Sequence, residues 1–253
     1  MNFEFPSFVG KDLLDTHAAL ARAVVAASLE AVAERGVFHL ALSGGSTPEK
    51  FYFLLVTDPR FRALPWMQTH LWIVDERRVS FEDDRSNFKM IREMVADHIP
   101  TRKRLIHPMP VMESDPAALY EQELREQFKP LAASRNPTAT SAPRLDFILL
   151  GMGDDAHTAS LFPHSPALKI TDQLIAINAG PTVTPPGRVT MTYPLLNAAR
   201  NLAVLVTGAK KTATLRRVSE QLKTGPDLDN LPITGIGPIN GDLTWYLDAE
   251  AAG

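Results

Sequence analysis

Short apolar runs recur along the chain, and most of them end in a cluster of glycine, hydroxyl or charged residues before a helical pattern begins. Val37–Leu42 leads into Ser43-Gly-Gly-Ser-Thr-Pro48, and His70–Asp75 leads into Glu76-Arg-Arg78. Leu145–Leu150 leads into Gly151-Met-Gly-Asp-Asp-Ala-His157, and Leu202–Thr207 leads into Gly208-Ala-Lys-Lys211. Runs this short, without polar alternation, read as strands buried on both faces. The segments between them carry the helical period. Residues 12–35 place Leu13, Leu20, Val24, Val25, Leu29 and Val32 near 3.6 spacing, with Gly36 as the stop. Further helices are expected after a Ser46 or Thr47 cap with Pro48 in the first turn, over 86–97, over 116–128 and over 209–222. Residues 130–143 and 224–241, rich in proline, glycine and small polar residues, read as loops, and Leu243–Leu247 as a last strand.

Repeated strand–turn–helix units specify an α/β fold: an open, largely parallel, doubly wound sheet of Rossmann-like type. The prolines are spread along the chain, so residues 1–253 are expected to form one domain. In such sheets ligands sit outside the carboxyl ends of the strands.

Composition narrows the function classes. A net charge of −3 supplies no basic field for nucleic acid or anionic membrane, so an anionic ligand must be held by a local cation cluster. The absence of cysteine removes disulfides, thiol catalysis and zinc–thiolate sites. No basic segment followed by an apolar one opens the chain, and no apolar run approaches the roughly 20 residues of a membrane span. A soluble, cytoplasmic protein is the expectation.

Four strand ends and one alternating segment are candidates for chemistry. Ser43–Thr47 follows a strand and opens a helix, the geometry of a phosphate cradle, though without P-loop lysine spacing; a plain strand–helix turn looks the same. Lys210 and Lys211 stand in the first turn of an expected helix, where cations are disfavoured unless an anion sits there. Asp75–Arg78 either marks a solvated strand end or presents Arg77 to a phosphate. In Gly187–Thr192, Arg188, Thr190 and Thr192 share one strand face, which suits a sugar phosphate or an ordinary exposed face.

Gly151–Pro163 admits three readings. As a dinucleotide loop, Gly151-x-Gly153-x-x-Ala156 fits only the permissive pattern, and Pro163 and Pro166 interrupt the helix that should follow. As a metal site, Asp154, Asp155 and His157 lack a further group with ligand spacing. As a general-base site, His157 has Asp155 two residues away to orient its ring.

Taken together, LALSGGSTPEKFY (40–52), WIVDERRV with SNFKM (72–90), LDFILLGMGDDAHTASLFP (145–163), GRVTMTYPLLNAAR (187–200) and VTGAKKTATL (206–215) resemble the 6-phosphogluconolactonase family. The family's fold is related to glucosamine-6-phosphate deaminase. The resemblance implies an enzyme that hydrolyses 6-phospho-D-glucono-1,5-lactone without metal or organic cofactor; a monomer is the expectation. The resemblance also implies His157 as general base on water, Asp155 as its orienting partner, and phosphate binding by Gly44, Gly45, Ser46, Arg77, Arg188 and Lys211. Backbone N–H groups near Gly151–Gly153 are the candidates for stabilising the oxyanion. The deaminase pattern has glutamate where this chain has Phe162, and tyrosine where it has Arg77. A binding-only sugar-phosphate sensor is the reading from another class, but it predicts loss of the histidine. Two departures stand out: Ala156 replaces a usual glycine, and Asp154 a common proline. If that glycine position needs a positive φ, Ala156 carries a cost of about a kcal/mol.

Overall fold

A computed structural model describes residues 3–129 and 143–253. All but the last residue of the expected loop 130–143 lies outside these residues. The elements run β1 (Ser7–Gly10), α1 (Leu13–Arg35), β2 (Phe38–Leu42), α2 (Ser46–Thr57), β3 (Thr69–Ile73), β4 (Asp75–Arg77), α3 (Asn87–Met94), β5 (Ile106–His107), α4 (Pro116–Gln127), β6 (Phe147–Gly151), β7 (Ile175–Ala179), β8 (Gly187–Met191), α5 (Tyr193–Leu196), β9 (Asn201–Val206), α6 (Thr212–Leu222), β10 (Asp242–Asp248) and α7 (Ala249–Ala252).

Seven strands form one parallel sheet in the order β1-β10-β9-β6-β2-β3-β5. The α/β expectation holds, with helices flanking the sheet. Every residue of β2 and β3 is buried, which is why these runs show no alternation. From β2 the chain continues to β3 on one side, and from β6 it continues towards β9 on the other. The carboxyl ends of β2 and β6 therefore diverge and open a crevice at a topological switch point.

Helix α1 begins at Asp12, whose carboxylate accepts from the Asp15 N–H, and ends at Gly36 with φ +79°. By length and composition α1 could cross a membrane, but 56% of its apolar window is buried within the fold, where it packs against β1 and β10.

Several expectations are corrected. The helix after β2 is capped by Gly45 (φ +106°), not by Ser46 or Thr47. The expected 86–97 helix ends at Met94 and tightens into a 3₁₀ turn at Ala96–His98. Ala209–Lys211 is likewise a 3₁₀ turn before α6. The expected last strand is present as β10, which lies inside the sheet between β1 and β9. Asp75–Arg77 is not the solvated end of β3 but a separate strand. It pairs antiparallel with β8, and β8 with β7, in a second, three-stranded sheet absent from the sequence reading.

Candidate active site

The turn after β2 is shaped by two glycines with different tasks. Gly45 occupies the left-handed region, which admits glycine at little cost. A Cβ on Gly44 would stand 1.8 Å from Asn87 Oδ1, so Gly44 leaves room for the side chain that opens α3. Ser43 Oγ donates to Leu149 O at 2.7 Å and Tyr52 OH donates to Ser43 O at 2.6 Å, fastening the turn to β6 and α2. No side chain caps the start of α2, so its first-turn N–H groups and the positive end of its dipole are open to an anion.

The turn after β6 is built around His157. Its Nδ1 lies 2.5 Å from Asp155 Oδ1, which also accepts from the His157 backbone N–H at 3.1 Å. Burial pushes the Asp155 carboxyl up, but the hydrogen bonds and charge of His157 outweigh it and hold the group below its ordinary value. With Nδ1 committed to Asp155, Nε2 is the ring nitrogen left for a proton from a ligand. A Cβ on Gly153 would stand 2.1 Å from His157 Nδ1 and 2.7 Å from Asp155 Oδ1. Glycine is therefore what lets this pair lie against the backbone. The Gly153 N–H donates to His157 O at 2.9 Å, so it is not a free donor for an oxyanion. Ala156 is fully buried with φ +65°, the strained conformation that a usual glycine at this position would relieve.

The small sheet supplies the cations. Arg77 on β4 and Arg188 on β8 are direct cross-strand partners. Arg188 is buried, donates to the carbonyls of Pro185 and Gly187, and lies 5.9 Å from the Phe162 ring centre. Burial lowers its pKa, against the pull of Asp75 and together with the push of Arg77. Arg77 Nη1 donates to Arg85 O at 2.6 Å. Next to Arg77 on β4, opposite Val189, stands Glu76, fully buried. Burial raises its pKa, although the backbone N–H groups of Arg77, Asn87 and Phe88 and the Ser86 hydroxyl all donate to it. Glu76 thereby clamps the start of α3 to β4. The face shared by Arg188, Thr190 and Thr192 is buried, not exposed.

These parts meet in one cleft of about 480 Å³, lined by Ser43–Pro48, Asp75, Arg77, Asn87, Gly151–Gly153, His157, Ser160, Phe162 and Arg188 among others. His157, Gly44, Gly45, Ser46, Arg77 and Arg188 thus share one site, with Asp155 behind the histidine. Lys211 does not line the cleft: its Nζ is 2.5 Å from Asp154 Oδ1. The anion expected to offset a cation at that helix start is supplied by the chain itself. Asp154, Asp155 and His157 do not converge on a common point, since Asp154 holds Lys211 while Asp155 holds His157.

Sequence reasoning missed three cleft residues. Asp75 accepts from Ser160 Oγ at 2.6 Å, and Asn87 Nδ2 donates to Asp75 O at 2.7 Å. The signal for Asn87 was its place at the start of a helix beside a serine cap; Asp75 and Ser160 stood inside the motifs but were given no role of their own.

The sequence profile described as glucosamine-6-phosphate isomerases/6-phosphogluconolactonase matches residues 11–245. The chain belongs to this family. It is 41% identical to the 6-phosphogluconolactonase of Synechocystis over 88% of this chain and 86% of that protein. It is 38% identical to the GDH/6PGL endoplasmic bifunctional protein of Oryctolagus cuniculus over 92% of this chain, which spans only 28% of that longer protein. Its fold matches the solved 6-phosphogluconolactonase of Trypanosoma brucei with a TM-score of 0.77 at 27% identity, covering 99% of this chain and 98% of that one.

Proposed function

We propose that this chain is a single-domain 6-phosphogluconolactonase, hydrolysing 6-phospho-D-glucono-1,5-lactone to 6-phosphogluconate in the oxidative pentose phosphate pathway of the cytoplasm. The observation that carries this reading is that one cleft holds both the Asp155-oriented His157 and the cross-strand pair Arg77 and Arg188. The arginines, Ser46 and the open N-terminus of α2 hold the phosphate. This fixes the lactone carbonyl C1 against His157. Nε2 takes a proton from water as the water oxygen bonds to C1. The tetrahedral oxyanion then collapses, the bond from C1 to the ring oxygen breaks, and His157 returns the proton to that oxygen. Every step uses water and groups of the chain. Because the lactone is already reactive, positioning and one proton acceptor suffice.

Phe162 separates this reading from sugar-phosphate deamination. Its apolar ring lies 4.9 Å from the His157 ring, where the deaminase pattern would have a proton-transferring glutamate. The test is lactone hydrolysis measured against the spontaneous rate, beside glucosamine-6-phosphate deamination. Wild-type protein is expected to accelerate only the first. His157→Ala should lose most of that rate while still binding 6-phosphogluconate; deamination without lactone hydrolysis would overturn the assignment.

A further inference from the structure

Resting on the lactonase reading, we propose that Asp154 is a built-in competitor for Lys211 that sets the affinity of the cleft for the phosphate of its substrate. The Lys211 ammonium stands 2.5 Å from the Asp154 carboxylate, and the two side chains differ sharply in exposure, 19% for the lysine and 83% for the aspartate. The ammonium is sheltered and the carboxylate is in water.

The pair is tied to the catalytic turn at both ends. Asp154 follows Gly153, which lines the cleft, and precedes Asp155, which holds His157. Thr214 Oγ1 donates to Asp154 O at 2.9 Å, docking this turn on the first turn of α6. Lys211 is the N-cap residue of α6 and makes no side-chain capping bond. The Asp154 carboxylate thus answers the lysine and the positive end of the helix together.

This arrangement is open to exchange. A largely solvated carboxylate holds a lysine weakly, and a four-carbon stem lets the ammonium move without moving the helix. A phosphate dianion in the cleft carries twice the charge of Asp154. On binding, Lys211 changes partner, and Asp154 is released to water. Affinity for the phosphate is lower than Lys211 would otherwise allow, because one cation must first be withdrawn from an internal anion.

The experiment is a double-mutant cycle on Asp154→Asn and Lys211→Ala, read by calorimetric titration with 6-phosphogluconate and by KM for the lactone. Asp154→Asn is expected to tighten binding and lower KM by about fivefold, the equivalent of about 1 kcal/mol for an exposed ion pair. In the Lys211→Ala background the same substitution should change binding by less than about twofold. Unchanged binding in Asp154→Asn overturns the proposal. So does a gain that persists undiminished without Lys211, which would mean that Asp154 acts only through its field. Wild-type protein that neither hydrolyses the lactone nor binds 6-phosphogluconate would instead sink the lactonase reading, and this inference with it. Asp154→Ser, which removes the charge without an amide, must show the same pattern.

Discussion

Arg77 and Arg188 face each other across the antiparallel pairing of β4 and β8, with no acidic side chain forming an ion pair to either among the described residues. Like charges set directly opposite on a sheet are unfavourable, more so when one is buried. A bound dianion converts this repulsion into two charge-assisted contacts. Replacing Arg77 with alanine is expected to raise KM by about 10- to 100-fold, the worth of one hydrogen bond to a charged group. It should also abolish the rise in melting temperature caused by 6-phosphogluconate, with little change in the melting temperature of the free protein. A variant that keeps the ligand-induced rise would remove Arg77 from the phosphate site.

Gly153 and Asp155 control the same imidazole from two sides. A methyl group on Gly153 would overlap His157 Nδ1, and no positive φ is involved. Gly153→Ala is therefore expected to cut kcat by about tenfold or more by displacing the ring, while Asp155→Asn cuts it within the range of about 10²–10⁴ associated with general-base catalysis. Steady-state kinetics on both variants checks this, and a Gly153→Ala enzyme of normal kcat contradicts the close packing seen here.

Ala156 offers a case in which several small effects nearly cancel. Glycine there would relieve about 1–2 kcal/mol of left-handed strain. It would also forfeit a buried methyl worth about 0.8 kcal/mol and add about 0.4–1 kcal/mol of unfolded-chain entropy. Ala156→Gly is expected to stay within about 1 kcal/mol of the parent in urea melts, whereas the β-branched Ala156→Val, forced into the same φ in a filled core, should cost more than about 2 kcal/mol.

Three histidines outside the cleft make stability depend on pH. Burial lowers His17 and His70 from 6.5 to about 4, and lowers His39 further, with neighbouring His70, His107 and Arg35 adding to the effect. A base whose folded pKa lies below its unfolded value binds its proton more readily when unfolded. The stability is fully present above pH 6.5 and is lost as pH falls from there towards 4. Denaturant melts should therefore weaken by several kcal/mol between pH 7 and pH 5, at about 1.4 kcal/mol per group per pH unit. A flat profile over that window contradicts the neutral burial of these rings, and His70→Gln should make the profile shallower.

Much of the large sheet was legible because β2, β3, β6 and β9 are buried on both faces and so read as unbroken apolar runs. The small sheet was not. β4 is Asp-Glu-Arg, whose burial depends on donors from Ser86–Phe88, and no local period reports such partners. β5 has two residues, too few for any period. In the site, His157 and Asp155 were readable because they are two residues apart. The opposition of Arg77 to Arg188, and the capture of Lys211 by Asp154 57 positions away, arise only when strands and turns meet in space.

The two sheets divide the labour of the cleft. His157 hangs from a turn of the seven-stranded sheet, while half-buried Arg77 and buried Arg188 ride on the three-stranded ribbon. On the proposed lactonase reading, the span between them works as a gauge for the molecule the cleft receives, measuring from charged end to reacting carbon. A shift of the ribbon relative to the parallel sheet would reset that length and change which phosphosugar fits, leaving the chemistry of the histidine as it was.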